Sequence, residues 1–333
     1  MKPAAFLLGI LVAATHVGGE EMESRSVVLG GGVSLELVKL PPGEFLMGST
    51  AEEKTWATGI EGGATPGTAR ESFEGEAPRP MRVKEAFWMG RTEVSMGQFR
   101  RFVEESGYVS DAERPGGAPH CFDPEWTGYH FTTETVHPWK ASAGKSWRDP
   151  GFPNPLREDY PVVCVSWNDA RAFGEWLTRR ESEAGRLPDG LVFRFPTEAE
   201  WEYACREGRS TGTKPAFANL DDIAWFADNS RGNTHPVGSR VGREHHFGLS
   251  DIHGNVAEWC WDWSGTFQEE KIKDPKGPGS GLYRIFRGGS WADPERCCRA
   301  AYRGPFSPVA PESCLVGFRP VCGRDPAAET GKR

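Results

Sequence analysis

The chain has 333 residues, of which 38% are hydrophobic, and this is enough apolar material for one large or two ordinary globular cores. Its 39 Lys and Arg residues are outnumbered by 47 Asp and Glu residues, which gives a net charge of −8. Disorder throughout is therefore excluded, and nucleic acid is not an expected partner. The 41 Gly, 26 Pro and 13 Trp residues favour a loop-rich fold with aromatic packing.

The first segment with a clear pattern is apolar, covers residues 4–15 and follows Lys2. It is too short for a membrane span, which needs about 20 residues, and it fits the apolar part of a secretory signal. Residues 1–19 are therefore predicted to be a signal peptide. The protein is expected to be exported, either periplasmic or extracellular, with no membrane span once the signal is removed.

Export places thiols in an oxidising compartment, so disulfides together with a few buried thiols are expected. The eight cysteines are Cys121, Cys164, Cys205, Cys260, Cys297, Cys298, Cys314 and Cys322. No C-x-x-C pair occurs among them, which removes support for a zinc ribbon or a thioredoxin-type site. Their connectivity stays open at this point.

Start signals in the sequence predict the regular elements. Residues 33–37 alternate apolar and polar side chains, as a half-buried strand does. Capping patterns predict helices that begin after Ser95, Ser166 and Thr197. Residues 282–287 are a strand candidate towards the C-terminal end.

Two segments lack periodicity. Residues 50–80 carry few large apolar side chains and are typical of a flexible insertion. Residues 111–159 contain Trp126, Trp139 and Trp147 among many Pro and Gly residues, which is typical of a functional loop or a binding wall. One domain over residues 27–322 is predicted, followed by a polar tail over residues 323–333.

The densest group of polar and aromatic residues runs from Asp251 to Trp263. Asp251 and Glu258 are hard oxygen donors with a Gly-Asn turn between them, a mixture that Ca²⁺ accepts. On spacing alone, a structural turn that leads into an aromatic strand is the favoured interpretation. A zinc site is a third interpretation, and it requires His245, His246 and His253 to converge near Glu258.

Two further patterns contain side chains that could take part in a reaction. Ser290 follows two glycines but does not stand in a G-x-S-x-G elbow, so a serine hydrolase has little support. Cys297 and Cys298 form the only thiol cluster, and soft thiolates select Cu(I). Adjacent residues on a strand point to opposite faces, however, which is poor geometry for two sulfurs on one ion.

Seven ordered motifs resemble the formylglycine-generating enzyme family, whose members are also called sulfatase-modifying factor domains. They are Pro42-Gly-Glu-Phe-Leu-Met-Gly48, Arg91-Thr-Glu-Val94, Tyr160-Pro-Val-Val with Val165-Ser-Trp-Asn-Asp-Ala170, Phe195-Pro-Thr-Glu-Ala-Glu-Trp-Glu-Tyr-Ala-Cys205, Gly254-Asn-Val-Ala-Glu-Trp259, Arg287-Gly-Gly-Ser-Trp291 and Gly317-Phe-Arg319. The resemblance implies a single α+β domain of low regular secondary structure, related to C-type lectin-like folds. In active members a copper-dependent oxygenase converts a cysteine of a sulfatase into formylglycine, which implies an exported protein or peptide such as a sulfatase as the partner.

The resemblance also implies a set of calcium ligands. They fall on Asp251, the backbone of Gly254, the backbone of Val256, and Glu258. Asp251 stands where the enzymes usually carry Asn, and it keeps an oxygen donor there. Structural calcium is therefore the favoured interpretation. The aromatic residue that precedes the glutamate in the enzymes is replaced by Ala257 here, so one wall of the family's pocket is missing.

The resemblance breaks at the copper ligands. In the enzymes two cysteines follow the serine at three and eight residues, and these positions are Asp293 and Cys298 here. An alignment anchored on residues 299–303 removes even the match at Cys298. Aspartate is a hard ligand that does not replace a sulfur for Cu(I). Ser290 and Cys298 are the catalytic candidates that remain, and copper is not expected at this site.

These expectations favour an exported member of the family that lacks the copper-thiolate site and acts as a binding or accessory module. The alternative is an oxidoreductase of the formylglycine-generating type, with Cys298 paired with a distant cysteine such as Cys314 or Cys322. The family alone leaves both open, because one fold hosts several functions.

Overall fold

A computed structural model describes residues 12–17, 20–59, 76–121, 140–152, 157–208, 220–240, 245–265, 278–306 and 313–327. The helices are α1 (Ala51–Ala57), α2 (Met96–Ser106), α3 (Trp167–Glu183), α4 (Glu198–Cys205) and α5 (Leu220–Ile223). The strands are β1 (Val12–Val17), β2 (Glu20–Gly30), β3 (Val33–Leu40), β4 (Gly43–Met47), β5 (Arg79–Val83), β6 (Phe87–Gly90), β7 (His120–Cys121), β8 (Lys140–Ala141), β9 (Leu191–Arg194), β10 (Ala257–Trp263), β11 (Arg284–Arg287), β12 (Gly304–Phe306), β13 (Val316–Gly317) and β14 (Val321–Arg324).

These strands form four sheets, two of which are the two-stranded pairs β4-β5 and β7-β8. The largest sheet has six strands in the order β1-β2-β3-β6-β14-β9, and all of its neighbouring pairs are antiparallel. The four-stranded sheet has the order β12-β11-β10-β13, in which β10 and β13 run parallel. Short elements in a mixed α+β arrangement confirm the predicted fold class. No helix within the described ranges has the length and apolar character to cross a lipid bilayer.

Three helices begin at the predicted capping residues. The backbone N–H of Gln98 donates to Ser95 Oγ at 3.3 Å, and the N–H of Ser95 donates back to Gln98 Oε1 at 3.0 Å. Ser166 caps α3 and Thr197 caps α4 with the same reciprocal bonds. These caps fix the helix starts, because they satisfy N–H groups that have no partner inside the helix.

Other sequence expectations differ in detail from the structure. The segment expected to be an insertion contains α1, which Thr50 caps, whereas residues 60–75 lie outside the described residues. Residues 1–11, 18 and 19 of the predicted signal peptide, and residues 122–139 of the aromatic loop, also lie outside them. At the other end, β14 continues into the segment expected to be a tail, since Gly323 pairs with Val192. The signal peptide itself stays a prediction.

The main apolar core joins α2 and α3 to the end of the chain. Phe99 is fully buried there, and its ring centroid lies between 5.1 and 6.3 Å from those of four other aromatic rings. These rings belong to Phe102, Trp147, Phe173 and Phe318. Trp147 of the aromatic loop is therefore a core residue and does not line an open wall.

A buried ion network joins α4 to β11. The side chains of Arg287, Glu198 and Glu202 are all 0% exposed. The Nε of Arg287 donates to Glu198 at 3.0 Å, and its Nη2 donates to Glu202 at 2.8 Å. The network places the Gly-Gly-Ser turn, which follows Arg287 directly, against α4.

Candidate functional site

The turn that precedes β10 has a backbone that few residues adopt. Asp251, Gly254 and Asn255 all have positive φ angles, of 53°, 72° and 59°. A Cβ atom on Gly254 would lie 2.2 Å from the carbonyl oxygen of Trp225, so only glycine fits there. The backbone N–H of Asn255 donates to that same oxygen at 2.8 Å. The turn is therefore fixed against the segment that contains Trp225.

Glu258 lies at the start of β10 and is bound by Arg319. The Arg319 Nε donates to both carboxylate oxygens at 3.0 Å, and its Nη2 donates to Oε1 at 2.6 Å. The indole Nε1 of Trp201 donates to Oε2 at 2.8 Å. Both oxygens of Glu258 are thus engaged, and this buried ion pair leaves little capacity for coordination of a metal ion.

Two other buried carboxylates in this region have oxygens without a partner. Glu93 Oε2 and Asp251 Oδ1 accept no hydrogen bond in the described structure. Burial and the Asp251 carboxylate raise the pKa of Glu93 well above its ordinary value. Burial also raises the pKa of Asp251 to about 6, although the backbone N–H of Gly238 donates to its other oxygen. Each of these buried carboxyl groups has one oxygen that accepts no hydrogen bond, and a cation beside such oxygens is stabilising.

The carboxylates of this region differ in how well they fit a cation. Asp251 fits a hard cation because its Oδ1 is buried without a hydrogen bond, whereas Glu258 is held by Arg319. Glu93 was not predicted, yet it fits for the same reason as Asp251. Among the described residues no three His, Cys, Asp or Glu side chains gather closely enough to hold a metal ion. A calcium ion here would therefore depend on Asp251, Glu93 and backbone carbonyls.

Ser290 lies at the end of a sharp turn and bonds to the residue in the first copper position. Gly288 and Gly289 have φ angles of 96° and 68°. The Ser290 hydroxyl donates to Asp293 Oδ2 at 2.6 Å. Burial raises the pKa of Asp293 to about 6 despite this bond. The structure therefore fills the space beside Ser290 with a carboxyl group.

Cys298 lies in a short 3-10 segment, Glu295–Cys298, and not on the strand that the sequence analysis assumed. Both Cys297 and Cys298 are buried, and burial raises the pKa of each thiol. A raised thiol pKa disfavours the thiolate, which is the form that binds Cu(I) or attacks a substrate. Cys298 therefore has the environment of a structural thiol.

His253 links Cys298 to Cys205. Its Nδ1 donates to the carbonyl oxygen of Cys298 at 2.7 Å, and its Nε2 lies 3.5 Å from Cys205 Sγ. His245 and His246 instead pack against Phe247, with ring centroids 6.1 and 5.2 Å away. The three histidines thus do not form the zinc arrangement that was considered.

The distant cysteines also occupy other places. Cys314 belongs to a core cluster with Trp291, and Cys322 lies on β14, whereas Cys298 packs among Leu220, Ala224 and Phe226. None of the eight cysteines forms a disulfide in the structure. Cys298 lies in a different buried cluster from both Cys314 and Cys322, so the described residues give no support to the thiol pair that the alternative requires.

Comparison with known families decides the family. Residues 33–323 match the profile of the FGE-sulfatase family, described as a sulfatase-modifying factor enzyme 1-like domain. The chain belongs to this family. The formylglycine-generating enzyme of Bos taurus is 30% identical over 96% of this chain and 83% of its own length.

Two further comparisons concern a second relative and a solved structure. The inactive Cα-formylglycine-generating enzyme 2 of Mus musculus is 28% identical over 77% of this chain and 74% of its own length. The solved structure of PvdO from Pseudomonas aeruginosa superposes with a TM-score of 0.60 at 23% identity, and covers 86% of this chain and 94% of that one. This likeness confirms the family fold, which is C-type lectin-like.

Asp293 gives a pH-dependent prediction. Its folded pKa of about 6 lies above the ordinary value of 3.8, so folding favours its protonated form and the wild type loses stability as pH rises through 6. Asp293→Asn cannot ionise and avoids this loss. Relative to wild type, the variant should gain about 2 kcal/mol in free energy of unfolding between pH 4 and pH 7.5.

Urea denaturation at the two pH values measures this difference. Asp159→Asn is the matched control, because the side chain of Asp159 is 51% exposed. An Asp293→Asn variant whose stability relative to wild type is the same at both pH values would contradict the assigned pKa.

Proposed function

We propose that this protein is an exported family member that lacks the copper-thiolate site and acts as a binding or accessory module. Its partner is an exported protein or peptide such as a sulfatase. The proposal places binding at the position of the cleft that the enzymes use for an extended peptide, because the Gly-Gly-Ser turn is the part of the enzymes' site which this chain retains.

The hydrogen bond between Ser290 and Asp293 is the observation that carries the proposal. A hard carboxyl group stands at the first copper position and already bonds to the serine at 2.6 Å. Cu(I) is a soft ion that prefers sulfur ligands. Cys298 adds at most one sulfur, and burial raises the pKa of that thiol. The two positions together therefore do not supply the ligand pair that oxygen activation requires in the enzymes.

Similar proteins support each of the two candidate functions, a binding module and an oxidase. The mouse protein that is named inactive matches 77% of this chain, which agrees with a role other than oxidation. The bovine enzyme matches 96% of it, and this extent favours the second candidate, a copper-dependent oxidase that converts a sulfatase cysteine into formylglycine. Asp293 at the first copper position favours the binding module.

The test incubates the protein with Cu(I), dioxygen and a labelled Cys-x-Pro-x-Arg peptide, with an active formylglycine-generating enzyme assayed in parallel. We expect the peptide to raise the fluorescence anisotropy of the label on binding, without formation of the aldehyde. Aldehyde formation with turnover would establish the oxidase instead. Absence of any anisotropy change would contradict a sulfatase-type peptide as the partner.

We also propose that one Ca²⁺ binds structurally at Asp251, with Glu93 and the backbone of Gly254 and Val256 as further donors. The support is the pair of buried carboxylate oxygens that have no hydrogen bond. Calcium suits such a site because it accepts six to eight oxygens, carbonyls included, without strict geometry. The ion would hold the turn before β10 in place.

Calcium should therefore stabilise the folded protein. A ligand that binds only the native state adds about 2.7 kcal/mol at 100 times its Kd, so the Tm should rise with calcium and fall with chelator. The double variant Glu93→Gln/Asp251→Asn should lose this response. It should also be more stable than the calcium-free wild type, because it removes the repulsion between the two carboxylates.

Differential scanning fluorimetry with calcium or chelator measures both effects. Glu44→Gln is the control, because the side chain of Glu44 is 75% exposed and its loss should leave the calcium response unchanged. An identical Tm of the wild type with calcium and with chelator would refute the site.

A further inference from the structure

The thiols of Cys121 and Cys164 lie close together in the interior. Their sulfur atoms lie 3.6 Å apart, and the two residues are 1% and 0% exposed. A disulfide has a sulfur separation of about 2.05 Å, so the two sulfurs need to approach by about 1.5 Å.

The backbone on both sides of the pair is held in place. Cys121 ends β7, which pairs with β8. The N–H of Cys164 donates to the carbonyl oxygen of Ser313 at 3.1 Å, and Cys164 itself has a φ angle of 56°. A residue other than glycine at positive φ is kept there by its surroundings. The two thiols therefore meet because the fold positions them.

The surroundings of the pair are apolar. Both cysteines pack in one buried cluster with Phe152, Val163, Val256, Trp291, Ala292 and Cys314. Trp291 directly follows Ser290, so the cluster forms the support of the Gly-Gly-Ser turn. A covalent link at this point would join the aromatic loop to the interior behind the proposed cleft.

We propose that Cys121 and Cys164 form a disulfide in the exported protein, an assignment that rests on the proposed export for its oxidising compartment. The two thiols react with a disulfide-bearing oxidant, such as a thiol-disulfide oxidoreductase or oxidised glutathione. One sulfur-sulfur bond forms in the protein and one breaks in the oxidant, whose two sulfurs leave as thiols with the two protons and two electrons. The link joins residues that are 43 positions apart and lowers the conformational entropy of the unfolded chain, which stabilises the folded state.

Peptide mapping tests the assignment directly. The protein is refolded with oxidised glutathione, alkylated with N-ethylmaleimide under denaturing conditions and digested without reduction. We expect mass spectrometry to find one cross-linked peptide that joins Cys121 to Cys164, which reduction separates, and to find Cys314 alkylated. Alkylation of both Cys121 and Cys164, or a link from either of them to Cys314, would overturn the proposal.

A redox-dependent Tm provides the second measurement. Reduction should lower the Tm of the oxidised wild type by about 5 °C. Cys121→Ala and Cys164→Ala should each abolish this difference, whatever their own stability. Cys260→Ala is the matched control, since Cys260 is equally buried and lies in another core cluster, and it should keep the difference.

The failure of this proposal is distinguishable from failure of the proposed function. Refolding in vitro tests the link without any assumption about export, whereas the peptide assay tests the module. Two thiols at this distance are also soft ligands for Cu(I), so formation of the aldehyde, and not copper uptake alone, decides between module and oxidase. The same peptide assay with the double variant Cys121→Ala/Cys164→Ala shows whether copper at these two thiols contributes to any aldehyde that forms.

Discussion

Replacement of Arg287 with methionine is expected to lower the free energy of unfolding by about 3–5 kcal/mol, because it removes the buried cation that bridges Glu198 and Glu202. Glu198 and Glu202 are both 0% exposed. Burial alone would raise the pKa of Glu198, but Arg287 and Arg303 hold it at about 2. Urea denaturation followed by tryptophan fluorescence measures the loss at neutral pH.

The matched control removes a cation from an exposed pair. Arg82 lies 3.7 Å from Glu44, with side chains 61% and 75% exposed, so Arg82→Met should cost less than about 1 kcal/mol. The Arg287→Met deficit should also shrink in acid, because Glu198 with its lowered pKa loses its stabilising contribution as pH falls from about 4.5 towards 2. Equal losses for the two variants would refute the network.

Phe99→Ala is expected to cost a similar amount, about 3–5 kcal/mol, because it opens a cavity that the surrounding rings cannot fill. Phe99 is fully buried and contacts aromatic rings from α2, α3, the aromatic loop and the segment before β14. The loss therefore affects several parts of the core at once. Its measure is the same denaturation experiment at neutral pH.

Leu282→Ala is the control for this second variant. Leu282 is an apolar residue that is 80% exposed, so its truncation should change the free energy of unfolding by less than about 0.5 kcal/mol. A Phe99→Ala variant as stable as Leu282→Ala would mean that the aromatic core is not packed as described.

Local signals were enough to predict where helices begin. Ser95, Ser166 and Thr197 each bond to a backbone N–H within the next three residues, and such short-range bonds depend only on neighbouring residues. Thr50 makes the same type of cap at α1, yet no helix was predicted there, because few large apolar residues follow it. At this position the capping pattern predicts the helix better than hydrophobic content does.

Long-range contacts could not be predicted in the same way. Arg319 binds Glu258 across 61 residues, and this ion pair changes the predicted calcium ligand into a structural carboxylate. Glu93 meets the turn before β10 across 162 residues through Asn255, so spacing alone gave no reason to include it. Its place in the Arg91-Thr-Glu-Val94 motif is the signal in the sequence that could have included it.

The cysteine region also shows that local motifs can be predicted from the sequence, whereas long-range contacts cannot. The motif comparison identified Asp293 at a copper position, and the structure adds that its carboxyl group bonds to Ser290. The strand geometry assumed for Cys297 and Cys298 was wrong, because the segment from Pro294 turns into a short 3-10 helix. The proximity of Cys121 and Cys164 depends on a fold that brings two loops together.

The position of β14 has a consequence for how the molecule is made. This strand comes last in chain order among the described strands, yet it lies between β6 and β9 inside the six-stranded sheet. Residues 321–324 must leave the ribosome before β14 can pair with its two neighbours. Until almost the end of synthesis, one edge of β6 and one edge of β9 therefore have no partner strand. Premature termination before residue 321 would leave those edges open, and exposed edges are templates for aggregation.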